Sequence, residues 1–145
     1  MKTPSLTDLR FVSPVTLRAW FTSKSPSGQG NFAVVDVRDS DFVGGHIKGC
    51  YHYAAGEIYE TLPELRRRLL ENKIDDVVFH CALSQVRGPK STLVFLRSLQ
   101  ELPKEEREKF DNLNVWVLSG GFTAWQKLYG EDQEVTVGFQ ADLWE

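Results

Sequence analysis

The most informative segment of the sequence for the fold is HCALSQVRGP, which runs from His80 to Pro89. It follows a short apolar run, Val77 to His80, that is typical of a buried strand. Gly88 and Pro89 then begin a segment whose apolar residues recur at helical spacing. Proline is favoured in the first turn of a helix, where its missing N–H costs no hydrogen bond. The pattern therefore predicts a strand, a tight loop and a helix in immediate succession, with Cys81 at the strand end.

The residues of this loop point to anion binding and to attack by a thiolate. A helix N-terminus and nearby cations favour the thiolate form of cysteine, which is the nucleophilic form. Successive N–H groups in such a loop can form a nest for an anion, and a guanidinium offers a planar fork to two oxygens. We predict Cys81 and Arg87 as the catalytic residues. The predicted oxyanion-binding loop consists of Ala82, Leu83, Ser84, Gln85, Val86 and Gly88.

Two alternatives bear on these assignments. A cysteine at a strand end is more often a small buried hydrophobe than a nucleophile. Arg87 and the Gly-Pro helix start favour the catalytic interpretation of Cys81. His80 lies on the strand and points away from the loop interior, so we predict a structural hydrogen bond for it rather than proton transfer. The Ser84 hydroxyl, in mid-loop, is a possible donor to the sulfur.

Composition limits the class of protein. The chain has 145 residues, a net charge of −3 and a hydrophobic share of 41%. These values predict one domain over residues 1–145 and give no indication of nucleic-acid or membrane binding. Two cysteines form no disulfide framework, and no leader is apparent, so we expect the cytoplasm or nucleus. The three histidines and two cysteines show no metal-ligand spacing.

Strands and helices alternate along the chain. Apolar β-branched runs predict buried strands at Phe32 to Val37 and Val115 to Leu118, in addition to the one before Cys81. Helices are predicted at Pro14 to Thr22, with Ser13 as the N-cap, and at Leu62 to Asn72 and Phe122 to Tyr129. The apolar tail, Glu134 to Glu145, is expected to pack back on the domain. The predicted fold class is α/β, with a central parallel sheet covered by helices on both faces.

A family resemblance now becomes visible. The run HCALSQVRGPK resembles the active-site loop of M-phase-inducer dual-specificity phosphatases and of related eukaryotic arsenate reductases, which have a rhodanese fold. Asp36-Val37-Arg38 with Gly45 to Gly49 is similar to the first structural motif of that fold. Leu118 to Phe122 with Trp125 is similar to its closing motif. The resemblance covers most of Phe32 to Tyr129, and the whole chain looks most like small stand-alone fungal members.

The resemblance implies roles for individual residues. Cys81 would attack phosphorus and carry a thiophosphate, while Arg87 and the loop amides from Ala82 onward hold the oxygens. The structural support of the loop would come from His80, Asp36, Arg38 and His46.

The resemblance leaves the reaction open among several chemistries. Sulfurtransferases of this fold typically have a loop one residue shorter, so the loop length favours phosphate or arsenate. Animal cell-cycle phosphatases carry acidic residues where this loop has Ala82 and Val86, and the similar arsenate reductases lack those acids as this chain does. Asp39 and Asp41 are possible acids, although capping of their own loop explains them equally well. The substrate would be a phosphorylated protein or a small oxyanion.

We predict a tyrosine or dual-specificity phosphatase that needs no cofactor. The alternative is an arsenate reductase that uses glutathione or glutaredoxin as reductant. A sulfurtransferase and a non-catalytic rhodanese-like binding module rank below both. Cys50 is expected to be a single packed or exposed thiol, because the cell-cycle phosphatases carry their partner cysteine where this chain has Val37. Oligomeric state is not indicated by the sequence.

Overall fold

The computed structural model describes residues 3–144. The strands of the described chain are β1 (Arg10–Val12), β2 (Phe32–Asp36), β3 (His46–Ile47), β4 (Tyr51–His52), β5 (Asp76–His80), β6 (Asn114–Leu118) and β7 (Thr136–Val137). Five parallel strands form the central sheet in the order β1-β6-β5-β2-β4, and β3 pairs with β7 in a separate antiparallel ribbon. The predicted strands lie within one or two residues of β2, β5 and β6. The short strands β1 and β4 at the two sheet edges were not predicted.

The helices in the same residues are α1 (Pro14–Ser23), α2 (Ile58–Glu71), α3 (Arg87–Gln100), α4 (Lys104–Glu108) and α5 (Gly121–Tyr129). Single 3₁₀ turns occur at Leu6–Asp8, Ala55–Glu57 and Ala141–Trp144. Ser13 caps α1, because its Oγ accepts a hydrogen bond from the N–H of Thr16 at 3.1 Å. None of the helices formed by residues 3–144 is long and apolar enough to cross a membrane.

Helices cover both faces of the sheet, as predicted for this fold class. Side chains alternate along each strand, so neighbouring residues of β2 enter different hydrophobic clusters. Val35 packs in the cluster that contains Leu65 of α2 and Phe95 of α3. Val34 packs in the second cluster with residues of α1 and α5, including Trp125. The layered α/β architecture places the carboxyl ends of β2 and β5 beside the helix start at Arg87.

The C-terminal tail packs on the domain, as the sequence predicts. Val135 is fully buried in the second cluster, and Thr136–Val137 pairs with His46–Ile47 as the ribbon β3-β7. Further along, the Trp144 indole donates to the carbonyl of Gly44 at 3.0 Å. The tail therefore holds the segment between β2 and β4, which supplies several residues of the site described next.

Candidate active site

The segment from Cys81 to Gly88, called the Cys81 loop here, connects β5 to the first turn of α3. The Cys81 side chain is 3% exposed. Its sulfur accepts hydrogen bonds from the backbone N–H groups of Ser84 and Gly88, both at 3.2 Å. Ser84 adopts a positive φ of 55°, which turns its N–H back toward the sulfur. Two N–H donors therefore point at the sulfur, an arrangement that stabilises negative charge developing on that atom.

The sulfur is bound by the Ser84 backbone and not by its hydroxyl, in contrast to the possibility raised by the sequence. The Ser84 Oγ is buried and has no hydrogen-bond partner among residues 3–144. Gly88 permits this close turn, because a Cβ there would lie 3.3 Å from the Cys81 nitrogen and 3.4 Å from the Ser84 Oγ. A larger residue at Gly88 would therefore require the strand end or the first turn of α3 to shift by a few tenths of an ångström.

Further N–H groups of the Cys81 loop remain available to a ligand. Within the described chain, no hydrogen-bond acceptor contacts the backbone N–H groups of Leu83, Gln85, Val86 or Arg87. Unpaired N–H groups in a strand-to-helix loop are donors for an oxyanion. The side chains of Leu83, Gln85 and Val86 are exposed, so these residues contribute through their backbone and not through buried side chains.

The start of α5 holds the Cys81 loop from behind. The N–H of Phe122 donates to the carbonyl of Cys81 at 3.0 Å, and that of Thr123 donates to the carbonyl of Ala82 at 2.8 Å. Gly121 makes this approach possible, since it has a φ of +58° and a Cβ there would lie 2.5 Å from the Cys81 oxygen. These contacts were not predicted, although the Gly120-Gly121 pair directly after a strand was the available signal.

A buried network of three charged or polar side chains supports the same end of the Cys81 loop, at the carbonyl of Cys81. The side chains of Asp36, Arg38 and His80 are all 0% exposed. Arg38 donates to both carboxylate oxygens of Asp36, with Nη2 at 2.8 Å and Nε at 3.1 Å. His80 Nδ1 lies 3.0 Å from the Cys81 carbonyl, and its Nε2 lies 3.6 Å from Asp36. The structural hydrogen bond predicted for His80 is therefore present.

The ionisation states in this network follow from burial and charge. Burial lowers the pKa of His80, so the ring is neutral at pH 7 and donates its Nδ1–H to the Cys81 carbonyl. Burial alone would raise the pKa of Asp36, but the hydrogen bonds and the positive charge of Arg38 bring it below its ordinary value. Asp36 and Arg38 thus form an ionised pair next to the strand end that carries Cys81.

His46 lies further from the loop than the other predicted supporting residues. Its ring stacks on Phe42 with centroids 5.3 Å apart, and Phe42 stacks on His52 at 3.9 Å. The Arg38 guanidinium lies 5.0 Å from the Phe42 ring. Burial lowers the pKa of His46. His46 therefore packs against the ring that covers Arg38, and its support of the Cys81 loop stays a prediction.

Arg87 is held by two carboxylates from the segment after β2. Its Nη1 and Nη2 donate to the two oxygens of Asp41 at 2.7 and 2.6 Å, and Nη1 also donates to Asp39 at 3.2 Å. The bond to Asp41 raises the pKa of Arg87. Nε and the second N–H of Nη2 have no partner among residues 3–144. Because these two N–H groups share one edge of the guanidinium, a second bidentate fork is free for an oxyanion.

Asp41 does not fit the role of proton donor in this state. The hydrogen bond from Arg87 lowers its pKa to about 2, so the carboxyl is ionised at neutral pH. Asp41 also accepts from the N–H of Asp39 at 2.9 Å, and Asp39 accepts from the N–H of Gly56 at 2.9 Å. Asp41 therefore caps its own loop, Asp39 binds the turn after β4, and both orient Arg87, which the sequence alone did not predict.

Because Asp41 orients Arg87, an Asp41→Asn substitution is expected to weaken oxyanion binding. We expect the KM for an aryl phosphate to rise about threefold to tenfold with a smaller change in kcat, because the free fork of Arg87 loses its fixed orientation. Steady-state kinetics measures both constants. Asp111→Asn, at an exposed turn, is the matched control and should change neither. A fall in KM would show instead that Asp41 competes with the oxyanion for Arg87.

Cys50 is not placed as a partner for Cys81. Both cysteines are free, and Cys50 is half-buried. It packs against the cluster that contains Phe122 and Trp125, whereas Cys81 packs in the cluster on the α2 and α3 side of the sheet. Burial, together with the Asp36 carboxylate, raises the pKa of the Cys50 thiol to about 12. The prediction of a single packed thiol agrees with this environment.

The fold and the loop define a class of protein: an α/β domain with a cysteine at the strand end and an arginine at the helix start. The chain belongs to the rhodanese-like domain family, whose model matches residues 22–128. It is 40% identical to the CDC25-like phosphatase YCH1 of Saccharomyces cerevisiae, over 99% of each chain. These findings confirm the resemblance to small fungal members of the group.

Further comparisons bear on both reactions predicted from the sequence, phosphate ester hydrolysis and arsenate reduction. The solved structure of Ygr203w, described as a yeast protein tyrosine phosphatase of the rhodanese family, superimposes with a TM-score of 0.83 and 41% identity, covering 97% of this chain and 100% of that one. The rice protein arsenate reductase 2.2 is 41% identical over 95 residues, which are 65% of this chain and 68% of the relative. Phosphatases and arsenate reductases are thus both among the relatives.

Proposed function

We propose that the chain is a cysteine-dependent phosphatase of the tyrosine or dual-specificity type. The observation that carries this proposal is the Cys81 sulfur, bound by two N–H groups and surrounded by unpaired amides and the free fork of Arg87. The sulfur attacks phosphorus, forming an S–P bond as the P–O ester bond breaks. The unpaired amides and Arg87 bind the non-bridging oxygens through the transition state. Water then attacks phosphorus, breaks the S–P bond and releases phosphate.

The proton supply in this site favours aryl esters. Ala82 and Val86 have no acidic group, and Asp41 is ionised in its pair with Arg87. A phenolate leaves with less protonation than an alkoxide, so the site suits tyrosine phosphate better than serine or threonine phosphate. The physiological substrate in this proposal is a phosphorylated protein.

Arsenate reduction is the second candidate, supported by the rice relative and by the absence of acids in the Cys81 loop. A Cys81–arsenic adduct needs a second thiol for its resolution. Cys50 is poorly suited, because its pKa of about 12 keeps it protonated and it packs on the other side of the sheet. Glutathione or glutaredoxin would therefore supply the thiol and the electrons, whereas the phosphatase reaction needs no cofactor.

Sulfur transfer and a purely non-catalytic module remain below these two candidates. Five residues separate Cys81 from Arg87, a spacing that suits phosphate or arsenate better than a persulfide. The chain also retains both Cys81 and Arg87, which a binding module does not require. We further propose the cytoplasm or the nucleus as the compartment, where thiols stay reduced.

Assays of both reactions on one preparation of the wild-type protein distinguish the phosphatase from the arsenate reductase. We expect steady hydrolysis of an aryl phosphate, with arsenate reduction in the presence of glutathione and glutaredoxin at least about tenfold slower in kcat/KM. Phosphate release and NADPH consumption through glutathione reductase measure the two reactions. A reaction mixture without the protein gives the background rate of each assay, which is subtracted from the measured rate. Rapid arsenate reduction with negligible hydrolysis would reverse the assignment.

A further inference from the structure

A cleft of about 690 Å³ lies beside the Cys81 loop, on the side formed by the N-terminal segment. One wall belongs to the loop itself, through Gln85 and Val86. The facing wall is the 3₁₀ turn Leu6–Asp8 with the residue before it, Ser5, and the floor is α3. The turn lies outside residues 22–128, the part that matches the family model. The cleft therefore combines residues of the matched part, such as Lys90 and Arg97, with residues that precede it.

The N-terminal wall of the cleft is fixed in place by α3. Arg97 donates to the carbonyl of Pro4 with Nε at 3.2 Å and Nη2 at 2.9 Å. Within the turn, the N–H of Ser5 donates to a carboxylate oxygen of Asp8 at 2.8 Å. A wall held in this way exists before any ligand binds, so little ordering entropy is lost on binding.

The lining of the cleft combines apolar side chains with positive charge. Leu6 and Val86 are 62% and 70% exposed, which is unusual for large hydrophobic side chains so close together, and Leu93 lies at the base. Lys90 and Arg97 bring two cations to the cleft, and the nearby carboxylate of Asp8 accepts hydrogen bonds from the N–H and the hydroxyl of Ser5. Such a surface is complementary to an apolar side chain next to an acidic one.

We propose that this cleft binds the residues that flank the phosphorylated residue of a protein substrate. The apolar side chain would contact Leu6 and Val86, and an acidic side chain beyond it would face Lys90 and Arg97. The cleft and the Cys81 loop share Gln85 and Val86, so a peptide whose phosphotyrosine is bound in the loop brings its flanking residues to the same face of the protein, at about 3.3–3.6 Å of reach per residue. The proposal rests on the proposed phosphatase function. A small inorganic oxyanion bound to the loop would not use this cleft.

The test uses two labelled phosphotyrosine peptides of equal length. One carries leucine and glutamate on both sides of the phosphotyrosine, and the other carries serine and lysine. Their Kd values are measured by fluorescence anisotropy with the Cys81→Ser protein, which binds without turnover. We expect about tenfold tighter binding of the leucine and glutamate peptide. Equal Kd values for the two peptides would overturn the proposal.

A substitution in the cleft checks that this preference arises there. Leu6→Ser in the Cys81→Ser protein should reduce the tenfold preference to about twofold. Leu128→Ser is the matched control, since Leu128 is also exposed, at 59%, but lies on α5, and it should keep the full preference. Loss of affinity for both peptides by the same factor would contradict the proposal. So would a concentration-dependent dimer in sedimentation that Leu6→Ser abolishes, because the cleft would then be an interface between copies.

The same peptides and proteins test the cleft proposal independently of the proposed phosphatase function. If the wild-type protein hydrolyses neither peptide nor an aryl phosphate, while Cys81→Ser still prefers the leucine and glutamate peptide, the phosphatase proposal fails and the cleft remains a peptide site. If the wild-type protein hydrolyses both peptides with equal KM, and the Kd values are also equal, the cleft proposal fails and the phosphatase stands.

Discussion

Cys81→Ser is expected to hydrolyse an aryl phosphate at least about 10⁴-fold more slowly than the wild-type protein. A neutral hydroxyl is a far weaker nucleophile than a thiolate, and removal of the attacking group costs the whole covalent route. The substitution keeps the size of the side chain, and the N–H groups of Ser84 and Gly88 can donate to an oxygen as they do to the sulfur. Initial rates at saturating substrate measure the loss.

Cys50→Ser is the matched control for that substitution. It removes the other free thiol of the chain, which packs among different neighbours and is not placed in the reaction. Its turnover should stay within about twofold of wild type, as expected for a residue that makes no transition-state contact. Thermal unfolding by circular dichroism verifies that both variants are folded. A Cys81→Ser rate within tenfold of wild type would place the nucleophile elsewhere.

The local parts of this site were predictable from the sequence. A strand, a cysteine and a Gly-Pro helix start are consecutive, so the position of Cys81 between β5 and α3 follows from residues that are neighbours in the chain. Burial on both faces made β2 and β5 visible as continuous apolar runs. The edge strand β1 has only three residues, of which the first two are exposed. A segment so short has no recognisable hydrophobic period.

The parts that were not predictable depend on contacts between distant residues. Arg87 and Asp41 are 46 positions apart, and their pairing arises because β2 and β5 are neighbours whose carboxyl ends lie side by side. In the sequence, Asp41 is compatible with an acid, a cap or an ion pair. The contact of α5 with the Cys81 loop likewise brings Gly121 to a residue 40 positions earlier, and only the three-dimensional packing shows which glycine allows it.

The buried pair Asp36–Arg38 supports the second large prediction, which concerns stability. Asp36→Ala is expected to lower the free energy of unfolding by about 3–5 kcal/mol, because it leaves a fully buried guanidinium without its counter-charge. Urea denaturation monitored by tryptophan fluorescence measures this change. Since the pKa of the Asp36 carboxyl lies below the ordinary value of 3.8, the contribution is present at neutral pH and is lost as the pH falls below about 4.

Two further variants show whether the unpaired charge causes the loss. Glu71→Ala breaks an ion pair with Arg67 in which both side chains are 60% exposed, and it should cost less than about 1 kcal/mol. Replacing both members of the buried pair, as Asp36→Ala with Arg38→Met, should recover part of the stability lost by Asp36→Ala alone. If the double variant is less stable than Asp36→Ala, the contacts of Arg38 with the carbonyls of Val43 and Gly45 are the larger contribution.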